Sequence, residues 1–460
     1  MTASETDLNI YHNFFFIGIG GAGMSAIALV LNGMGFNVSG SDIKESRYVN
    51  ILRGSGIKVI IGHHEKNIEG SEVIIYSAAI LSDNIELKAA FKNKVPVLSR
   101  SDALAWILNK GLGIAVAGTH GKTTTTSMIS LILNKAGMDP TIIIGGELNE
   151  LGTNASFGSG SFVVAEACES DGSFLKYRPF LSIVTNIEED HMEYYGNYDN
   201  LVKSFIKFMN NTKENGFLIV NGDEIAVDDS IGLNCSNIFT FGLSDKNDLY
   251  AQNIILNDFQ SSYVAVFKKS SLRFKVKLNV PGIHNIKNSL ASISAAFITN
   301  VDIKKCVKIL ESFTGVKRRF EKRGIRSGAE IIDDYAHHPT EIKATLDAAT
   351  KFNKRIVTVF QPHRYSRTKA LYKKFQACFN DSDILILTDI YSAGEQPIPG
   401  VTSKLLTDYI LENGFLNKIA YIPKLADITD YLDKVIKKDD LVLIMGAGDI
   451  TRVSDELIKS

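Results

Sequence analysis

The stretch Ile114-Ala-Val-Ala-Gly118-Thr-His-Gly121-Lys122-Thr123-Thr124 is the part of the chain that most clearly decides its fold. Its apolar start predicts a buried strand, its glycines a loop, and residues 124–136 a helix. Such a loop binds phosphate, because backbone N–H groups and the positive end of the helix dipole face the anion. Lys122 would neutralise the β- and γ-phosphates, and Thr123 would ligate Mg²⁺. The usual glycine spacing is incomplete, since Val116 stands at the first glycine position.

Two acidic runs follow strands that we expect beside this loop. Glu166-Ala-Cys-Glu169-Ser-Asp171 comes after the predicted strand 162–165, and Thr185-Asn-Ile-Glu-Glu-Asp-His191-Met-Glu193 comes after the predicted strand 181–184. Carboxylate oxygens are the ligands that Mg²⁺ prefers. The first run therefore predicts a metal site, with a solvated loop as the plain alternative. A histidine among carboxylates could hold a second metal or steer a phosphoryl oxygen, although His191 alone would more often lie at the surface.

A second glycine turn lies near the start of the chain. Gly18-Ile-Gly20-Gly-Ala-Gly23 follows a predicted strand and precedes a predicted helix over 24–34, and Asp42 ends the next strand. This pattern is typical of a dinucleotide site in which the acid binds a ribose, but any nucleotide diphosphate would satisfy it. A purely structural turn is the remaining alternative.

The surrounding sequence predicts an α/β protein of three domains. Its 460 residues suggest about three domains. We place a Rossmann-like domain at 1–109 and a phosphate-loop domain at 110–314, with a Rossmann-like α/β domain at 315–460. The central domain should have a mainly parallel sheet, and short alternating strands over about 217–280 predict a small antiparallel insertion.

Composition excludes several classes of protein. Lys plus Arg is 50 and Asp plus Glu is 51, so overall basicity does not favour a nucleic-acid partner. The four cysteines lie far apart in sequence and indicate reduced thiols. Residues 13–41 are uncharged, but their seven glycines argue against a membrane span. The acidic start of the chain lacks the basic region of a signal peptide, so we expect a cytoplasmic protein without a membrane partner.

Two further motifs follow predicted strands in the last domain. They are Asp333-Asp-Tyr335-Ala-His337-His338-Pro-Thr-Glu341 and Gln361-Pro-His363-Arg364-Tyr-Ser-Arg367-Thr368. Both should lie at the carboxyl edge of one sheet, where open α/β folds bind ligands. Arg364 or Arg367 could clamp the carboxylate of an amino acid, or could form an ordinary surface ion pair.

Taken together, these motifs resemble the Mur ligase family, the ATP-dependent amide-forming enzymes of bacterial peptidoglycan synthesis. The resemblance spans most of the chain, and the matching stretches are 16–25, 118–124, 166–171, 185–191, 282–288, 333–341 and 361–368. The first and the last two point to the alanine-adding branch of the family, with a tripeptide-recycling ligase as near neighbour.

The resemblance implies that ATP phosphorylates the carboxylate of UDP-N-acetylmuramate, and that the amine of L-alanine displaces phosphate from the acyl phosphate. It implies small-molecule partners and a monomer or homodimer. Lys122, His191 and Arg319 would act in catalysis, Arg319 by reaching phosphate on domain closure. The implied metal ligands are Thr123, Glu166 and His191. The implied ATP residues are Gly118, Thr119, His120, Gly121, Lys122, Thr123, Thr124, His284, Asn285 and Asn288. The implied UDP-substrate residues are Gly18, Gly20, Gly21, Gly23, Met24, Ser25 and Asp42. The implied amino-acid side comprises Tyr335, His337, His338, Arg364 and Arg367.

Two other classes of function compete with a ligase. The N-terminal turn alone would suit a nicotinamide-dependent oxidoreductase, but such an enzyme has no use for the Gly-Lys-Thr loop. A phosphate-loop switch or motor would need a second strand ending in a metal-binding aspartate, and no convincing one is present in the sequence.

Overall fold

The computed structural model describes residues 7–150, 152–226, 232–414 and 418–459. Its strands form three sheets of five, ten and six strands. The predicted α/β class is therefore confirmed. The domain limits at 109 and 314 stay a prediction, and most of the N-terminal segment used to argue against a signal peptide lies outside the described residues.

The first sheet has the order β3-β2-β1-β4-β5, and each pair of neighbouring strands in it is parallel. Its central strand β1 is buried from Phe14 to Ile17, as expected for a strand with helices on both faces. The order reverses beside β1, which places the N-terminal glycine turn where open α/β sheets bind ligands. The elements are β1 Asn13–Ile17, α1 Ala22–Gly33, β2 Asn37–Asp42, α2 Arg47–Gly54, β3 Lys58–Ile61, β4 Val73–Tyr76, α3 Ile85–Lys92, β5 Val97–Ser99 and α4 Arg100–Lys110.

The second sheet has the order β15-β14-β13-β12-β11-β10-β6-β9-β7-β8. Its central strand β6 pairs in parallel with β9 and β10, so the loop after β6 lies between the carboxyl ends of both neighbours. Its strands are β6 Leu112–Ala117, β7 Thr141–Leu148, β8 Thr153–Ser156, β9 Phe162–Glu166, β10 Leu181–Val184, β11 Phe217–Asn221, β12 Ile238–Gly242, β13 Leu249–Leu256, β14 Ser261–Phe267 and β15 Arg273–Leu278. Its helices are α5 Lys122–Ala136, α6 Met192–Tyr195, α7 Tyr198–Asn210, α8 Ile283–Ile298 and α9 Ile303–Glu311.

The expected antiparallel insertion is smaller than the sequence pattern predicted. Strands β10, β11, β12 and β13 pair in parallel from one to the next. Hairpin turns begin only after β13, where Asn257 N donates to Gln260 O, and recur where Phe267 N donates to Leu272 O. The prediction extended too far towards the start of the stretch, where β13 alternates in burial but pairs in parallel with β12.

The third sheet has the order β16-β17-β21-β18-β19-β20 and is parallel except for the antiparallel edge pair β16 and β17. Buried β21 separates the strands that carry the two motifs of this region. The elements are β16 Glu321–Arg326, β17 Ala329–Asp334, α10 Pro339–Ala349, β18 Ile356–Phe360, α11 Tyr365–Cys378, β19 Ile384–Leu387, α12 Ser403–Glu412, β20 Lys418–Tyr421, α13 Leu425–Val435, β21 Leu441–Met445 and α14 Thr451–Lys459.

The chain divides into two compact units. The first comprises Met1–Ala251, Ala265–Phe274 and Lys287–Leu310, and the second comprises Gln252–Val264, Lys275–Ile286 and Glu311–Ser460. Both glycine loops therefore belong to the first unit, and the two motifs of the third sheet belong to the second. No helix in the described part of the chain is both long enough and apolar enough to cross a bilayer.

Candidate functional site

The loop of residues 118–121 joins β6 to α5 and depends on two glycines. Gly118 has a φ of +134° and Gly121 a φ of +82°, which are conformations that favour glycine. A Cβ at Gly118 would lie 2.1 Å from Oγ1 of Thr185, and one at Gly121 would lie 2.5 Å from Oδ1 of Asn288. The glycines therefore allow both the turn and the close approach of the neighbouring segments.

The segment that follows β10 holds this loop in place. The backbone N–H of Thr119 donates to the carbonyl of Asn186 at 3.2 Å, and that of His120 donates to Asn186 Oδ1 at 2.8 Å. Thr185 Oγ1 donates to the carbonyl of His120 at 2.6 Å. Glu188 N donates to Thr119 Oγ1 at 2.8 Å. The predicted ATP loop and the start of the second acidic run thus form one hydrogen-bonded unit.

Lys122, the first residue of α5, points back into the loop. Its Nζ lies 2.9 Å from Oε1 of Glu169 and donates to the carbonyls of Gly118 and, at 3.0 Å, Thr119. Burial opposes the charge, but the carboxylate of Glu169 outweighs it and keeps the pKa of Lys122 above its ordinary value. Lys122 is therefore a fixed cation at the site where a phosphate would bind.

Thr123 and Glu166 come together as the sequence predicted. The Thr123 hydroxyl donates to Oε2 of Glu166 at 3.1 Å. The other oxygen, Oε1, accepts a 2.6 Å hydrogen bond from the backbone N–H of Gly145 in β7. Two hard oxygen donors therefore lie side by side at the N-terminus of α5, which suits the chemistry of Mg²⁺.

Glu169 had no separate role in the prediction from the sequence. Its side chain is 1% exposed, and Oε2 has no hydrogen-bond partner among the described residues. Tyr195 in α6 donates its hydroxyl to the Glu169 carbonyl at 2.5 Å, which ties the two acidic runs together. The only signal in the sequence was its place in an acidic run beside a predicted phosphate loop.

His191 lies at the start of α6 in a left-handed conformation, with a φ of +57°. Its Nε2 is 3.5 Å from Oδ2 of Asp190, and its Nδ1 is 3.4 Å from Oε1 of Glu193. The histidine is thus held between two carboxylates on the loop that supports the ATP site. Its role at a metal stays a prediction.

The predicted adenine-end residues are divided between the two units. Asn288 belongs to the first unit, is 6% exposed, and accepts a 3.3 Å hydrogen bond from Thr125 in α5. His284 and Asn285 belong to the second unit, where Asn285 Nδ2 donates to the carbonyl of Pro281 at 2.7 Å. The structure therefore places Asn288 beside the phosphate loop, and the contact of His284 and Asn285 with ATP stays a prediction.

The N-terminal glycine turn is held by the acid that was predicted to bind a ribose. Gly20 N donates to Asp42 Oδ2 at 2.8 Å, and a Cβ at Gly20 would lie 2.8 Å from that oxygen. Gly18 starts the turn with a φ of +77°. Gly21 is the residue before α1, whose N-terminus would face a diphosphate. Asp42 thus has a structural task in addition to any contact with a ligand.

Met24 and Ser25 lie in the first turns of α1 with side chains that are 1% and 0% exposed. The Ser25 hydroxyl donates to the carbonyl of Ala22 at 3.0 Å. These contacts indicate a packing role for both side chains beneath the turn. Their contact with a UDP substrate stays a prediction, and burial makes it less direct than the sequence suggested.

In the second unit, the two motifs at the sheet edge meet through their histidines. The rings of His337 and His363 are 5.7 Å apart. His363 also lies 5.6 Å from the ring of Tyr391, nearly parallel to it, and its Nδ1 accepts a 3.1 Å hydrogen bond from Nη1 of Arg367. The predicted convergence of the ends of β17 and β18 is therefore present.

The remaining predicted residues of this edge have defined neighbours. Arg364 Nη1 lies 3.7 Å from Oε1 of Glu395, so this arginine has an ion-pair partner, and its contact with an amino acid stays a prediction. His338 is 2% exposed, and its Nδ1 accepts from Thr340 N at 3.4 Å as the N-cap of α10. The guanidinium of Arg319 lies 4.9 Å from the ring centroid of Tyr335. His338 therefore has a structural role as a helix cap.

Asp334, at the end of β17, is a buried acid beside these residues. It accepts hydrogen bonds from the backbone N–H groups of Phe320 at 3.0 Å and Ala336 at 2.8 Å, and from the Thr345 hydroxyl at 3.2 Å. Burial nevertheless raises its pKa from the ordinary 3.8 to about 6, against the opposing charge of Arg319. Asp334 therefore holds the end of β17 through these hydrogen bonds, and the free energy of keeping it charged in the folded protein depends on pH.

Comparison with known proteins covers nearly the whole chain. Profiles of the Mur ligase family match in three consecutive parts: the catalytic domain over residues 13–111, the middle domain over 116–296 and the glutamate ligase domain over 318–448. A UDP-N-acetylmuramate–L-alanine ligase of Acetivibrio thermocellus is 45% identical over 459 residues, which is 99% of this chain and 97% of that protein.

Solved structures give the same result. The crystal structure of a UDP-N-acetylmuramate–alanine ligase from Thermotoga maritima matches with a TM-score of 0.80 at 29% identity, over 97% of this chain and 98% of that one. A second ligase structure from T. maritima, MurF, was solved in complex with ADP, and it matches with a TM-score of 0.62 at 19% identity over 92% and 95% of the chains. The latter likeness concerns the fold alone.

Proposed function

The chain belongs to the Mur ligase family, and we propose that it joins L-alanine to the carboxylate of UDP-N-acetylmuramate, with conversion of ATP to ADP and phosphate. This reaction is a step of peptidoglycan synthesis. The observation that carries the proposal is the convergence of Lys122, Thr123 and Glu166 on one phosphate loop. It occurs in a chain that aligns over 99% of its length with an alanine-adding ligase.

The reaction needs activation, because a carboxylate and an ammonium group do not condense readily in water. A carboxylate oxygen of the substrate attacks the γ-phosphorus of ATP, ADP leaves, and an acyl phosphate forms. The deprotonated amine of L-alanine then attacks the acyl carbon, and phosphate leaves with its electron pair. Negative charge develops on the transferring phosphoryl group, so that fixed cations beside it lower the barrier. Lys122 is the residue we propose for this task.

Thr123 and Glu166 are the residues that we propose as Mg²⁺ ligands. They fit the ion because they offer a hydroxyl and a carboxylate oxygen that already lie 3.1 Å apart. A Mg²⁺ ion held by these residues would offset the negative charge of the phosphates. We propose His191 as a ligand of a second ion, on the strength of its place in the supporting loop.

The remaining residues would bind the three substrates. We propose that residues 118–124 and Asn288, together with His284 and Asn285, contact ATP. The turn at Gly18–Gly23 would take the diphosphate of the UDP substrate. Tyr335, His337, Arg364 and Arg367 would contact the amino acid, and Arg319 would act on phosphate during turnover. The substrates are nucleotides of the cell interior, so we propose a cytoplasmic enzyme that acts as a monomer or homodimer.

Phosphate release with ATP and UDP-N-acetylmuramate, measured with L-alanine, glycine or L-serine, tests the proposal. We expect release that depends on the UDP substrate and is fastest with L-alanine. A tripeptide-recycling ligase would instead respond to the peptide L-Ala-γ-D-Glu-meso-diaminopimelate. An oxidoreductase would change the absorbance of NADH and release no phosphate. Either of these outcomes would contradict the proposal.

A further inference from the structure

Arg100, the first residue of α4, lies against the N-terminal glycine turn. A Cβ at Gly23 would be 2.9 Å from Nη1 of Arg100, 3.3 Å from its Cδ and 3.6 Å from its Cζ. Gly23 belongs to the first turn of α1. The third glycine of the motif therefore leaves space for a guanidinium group that comes from a position 77 residues further along the chain.

The backbone of Arg100 is held firmly by its neighbours. Ser99 caps α4 and forms a reciprocal capping box with Asp102. Lys176, from the segment that follows the first acidic run, reaches Asp102 Oδ1 at 2.7 Å and Ser101 Oγ at 2.8 Å. These contacts among four residues fix the start of α4, so the Arg100 side chain reaches the turn from a rigid helix end.

The charges at this position are arranged for an anion. The N-terminus of α1 carries the positive end of the helix dipole, and a guanidinium beside it is repelled unless negative charge lies between them. Within the described part of the chain, the Arg100 side chain has neither a hydrogen bond nor an ion pair. The carboxylate at this turn, Asp42, accepts instead from the backbone N–H groups of Gly20 and Lys44.

The surroundings of Arg100 reduce the screening of its positive charge by solvent. Tyr177 is 2% exposed and burial raises its pKa, while Arg100 is the cation that opposes the rise. Arg100 itself is partly buried, so its charge is screened less than that of a surface arginine.

We propose that Arg100 is a substrate-binding residue whose guanidinium holds the diphosphate of the UDP substrate against the N-terminus of α1. This inference rests on the proposed function and adds a residue to its UDP site. An arginine fork suits phosphate oxygens because it donates two parallel hydrogen bonds to them. The backbone N–H groups in the first turn of α1 would bind the same group from the other side.

Binding titrations of Arg100→Gln with three ligands test the inference: UDP, UDP-N-acetylglucosamine and UDP-N-acetylmuramate. We expect all three dissociation constants to rise by about ten- to a hundredfold, since each ligand carries the diphosphate. Uridine should bind equally to both proteins. Arg100→Lys keeps the charge but not the fork, and it should recover only part of the affinity. Arg53→Gln is the matched control, because Arg53 on α2 is exposed and forms an ion pair with Glu45.

Each other outcome overturns the inference in a recognisable way. A loss confined to UDP-N-acetylmuramate would assign Arg100 to the muramate carboxylate. Unchanged constants for all three ligands in a folded variant would remove Arg100 from the site and leave the proposed function intact. Failure of the wild-type protein to bind any of the three would contradict the proposed function itself.

Discussion

The Thr123 hydroxyl donates a hydrogen bond to the Glu166 carboxylate at 3.1 Å, across 43 residues of sequence. Thr123 is the second residue of α5 and Glu166 is the last residue of β9, so the pair exists only because β6 and β9 are neighbours in the sheet. This contact links the phosphate loop to an oxygen ligand set suited to Mg²⁺. It is the structural basis of the first prediction.

Glu166→Ala should raise the Mg²⁺ concentration that supports half-maximal turnover by about tenfold and lower the maximal rate. The variant loses a hard oxygen ligand of the ion that offsets phosphate charge. Phosphate release measured against Mg²⁺ concentration checks this. Glu214→Gln, a change at an exposed acid, should leave the titration unchanged. An unaltered Mg²⁺ curve for Glu166→Ala would exclude Glu166 from the metal site.

Glu169→Gln should lower the free energy of unfolding by about 3 kcal/mol, because it leaves Lys122 buried without its counter-ion. ADP with Mg²⁺ should then raise the melting temperature more in the variant than in the wild type, since phosphate supplies the missing negative charge. Asp347→Asn is the control, because it breaks an exposed pair with Lys343 and should change stability little. Equal ADP shifts in both proteins would contradict this account of the Lys122–Glu169 pair.

Arg319→Ala should reduce turnover by at least about a hundredfold and leave the dissociation constant of ATP within a fewfold of the wild-type value. The reason is that a cation acting on a transferring phosphoryl group stabilises the transition state more than bound ATP. Single-turnover rates and ATP titrations measure the two effects separately. Arg326→Ala is the matched control, because Arg326 on β16 forms an ion pair with Asp433 on α13. A wild-type rate in the Arg319 variant would assign this arginine to structure alone.

Asp334 should make stability fall as pH rises from about 4 to 6. In that window the unfolded chain has released this proton, whereas the folded chain retains it because its pKa is raised to about 6. The loss for this group is complete above its folded pKa and amounts to about 3 kcal/mol. Urea unfolding of wild type and Asp334→Asn between pH 4 and 7 measures the difference in slope. Parallel pH profiles for the two proteins would contradict the raised pKa of Asp334.

The sequence predicted those parts of the site that depend on local order along the chain. The loop 118–124 and Glu166 could be placed because each follows a strand, and parallel strands bring their carboxyl ends to one edge. Pairs such as Lys122 with Glu169 and Arg100 with Gly23 were missed, because they depend on side-chain directions across 47 and 77 residues. The structural tasks of Asp42, Ser25 and His338 were missed for the same reason.

The sequence also could not predict how many strands of this stretch are antiparallel. Strand β13 alternates in burial much as a hairpin strand would, yet it pairs in parallel with β12. Alternation reports that one face of a strand is exposed, and it carries no information on the direction of the neighbouring strand. Within this stretch, hairpin turns occur in the connections that follow β13.

Transfer of an oxygen label tests the central claim most directly, that ATP activates the muramate carboxylate for attack by L-alanine. The enzyme would be supplied with UDP-N-acetylmuramate carrying ¹⁸O in both carboxylate oxygens, together with ATP, Mg²⁺ and L-alanine, and the phosphate analysed by mass spectrometry. We predict one ¹⁸O atom in each phosphate released, because the attacking carboxylate oxygen leaves with the phosphoryl group. Unlabelled phosphate, or phosphate release that does not depend on L-alanine, would contradict the account.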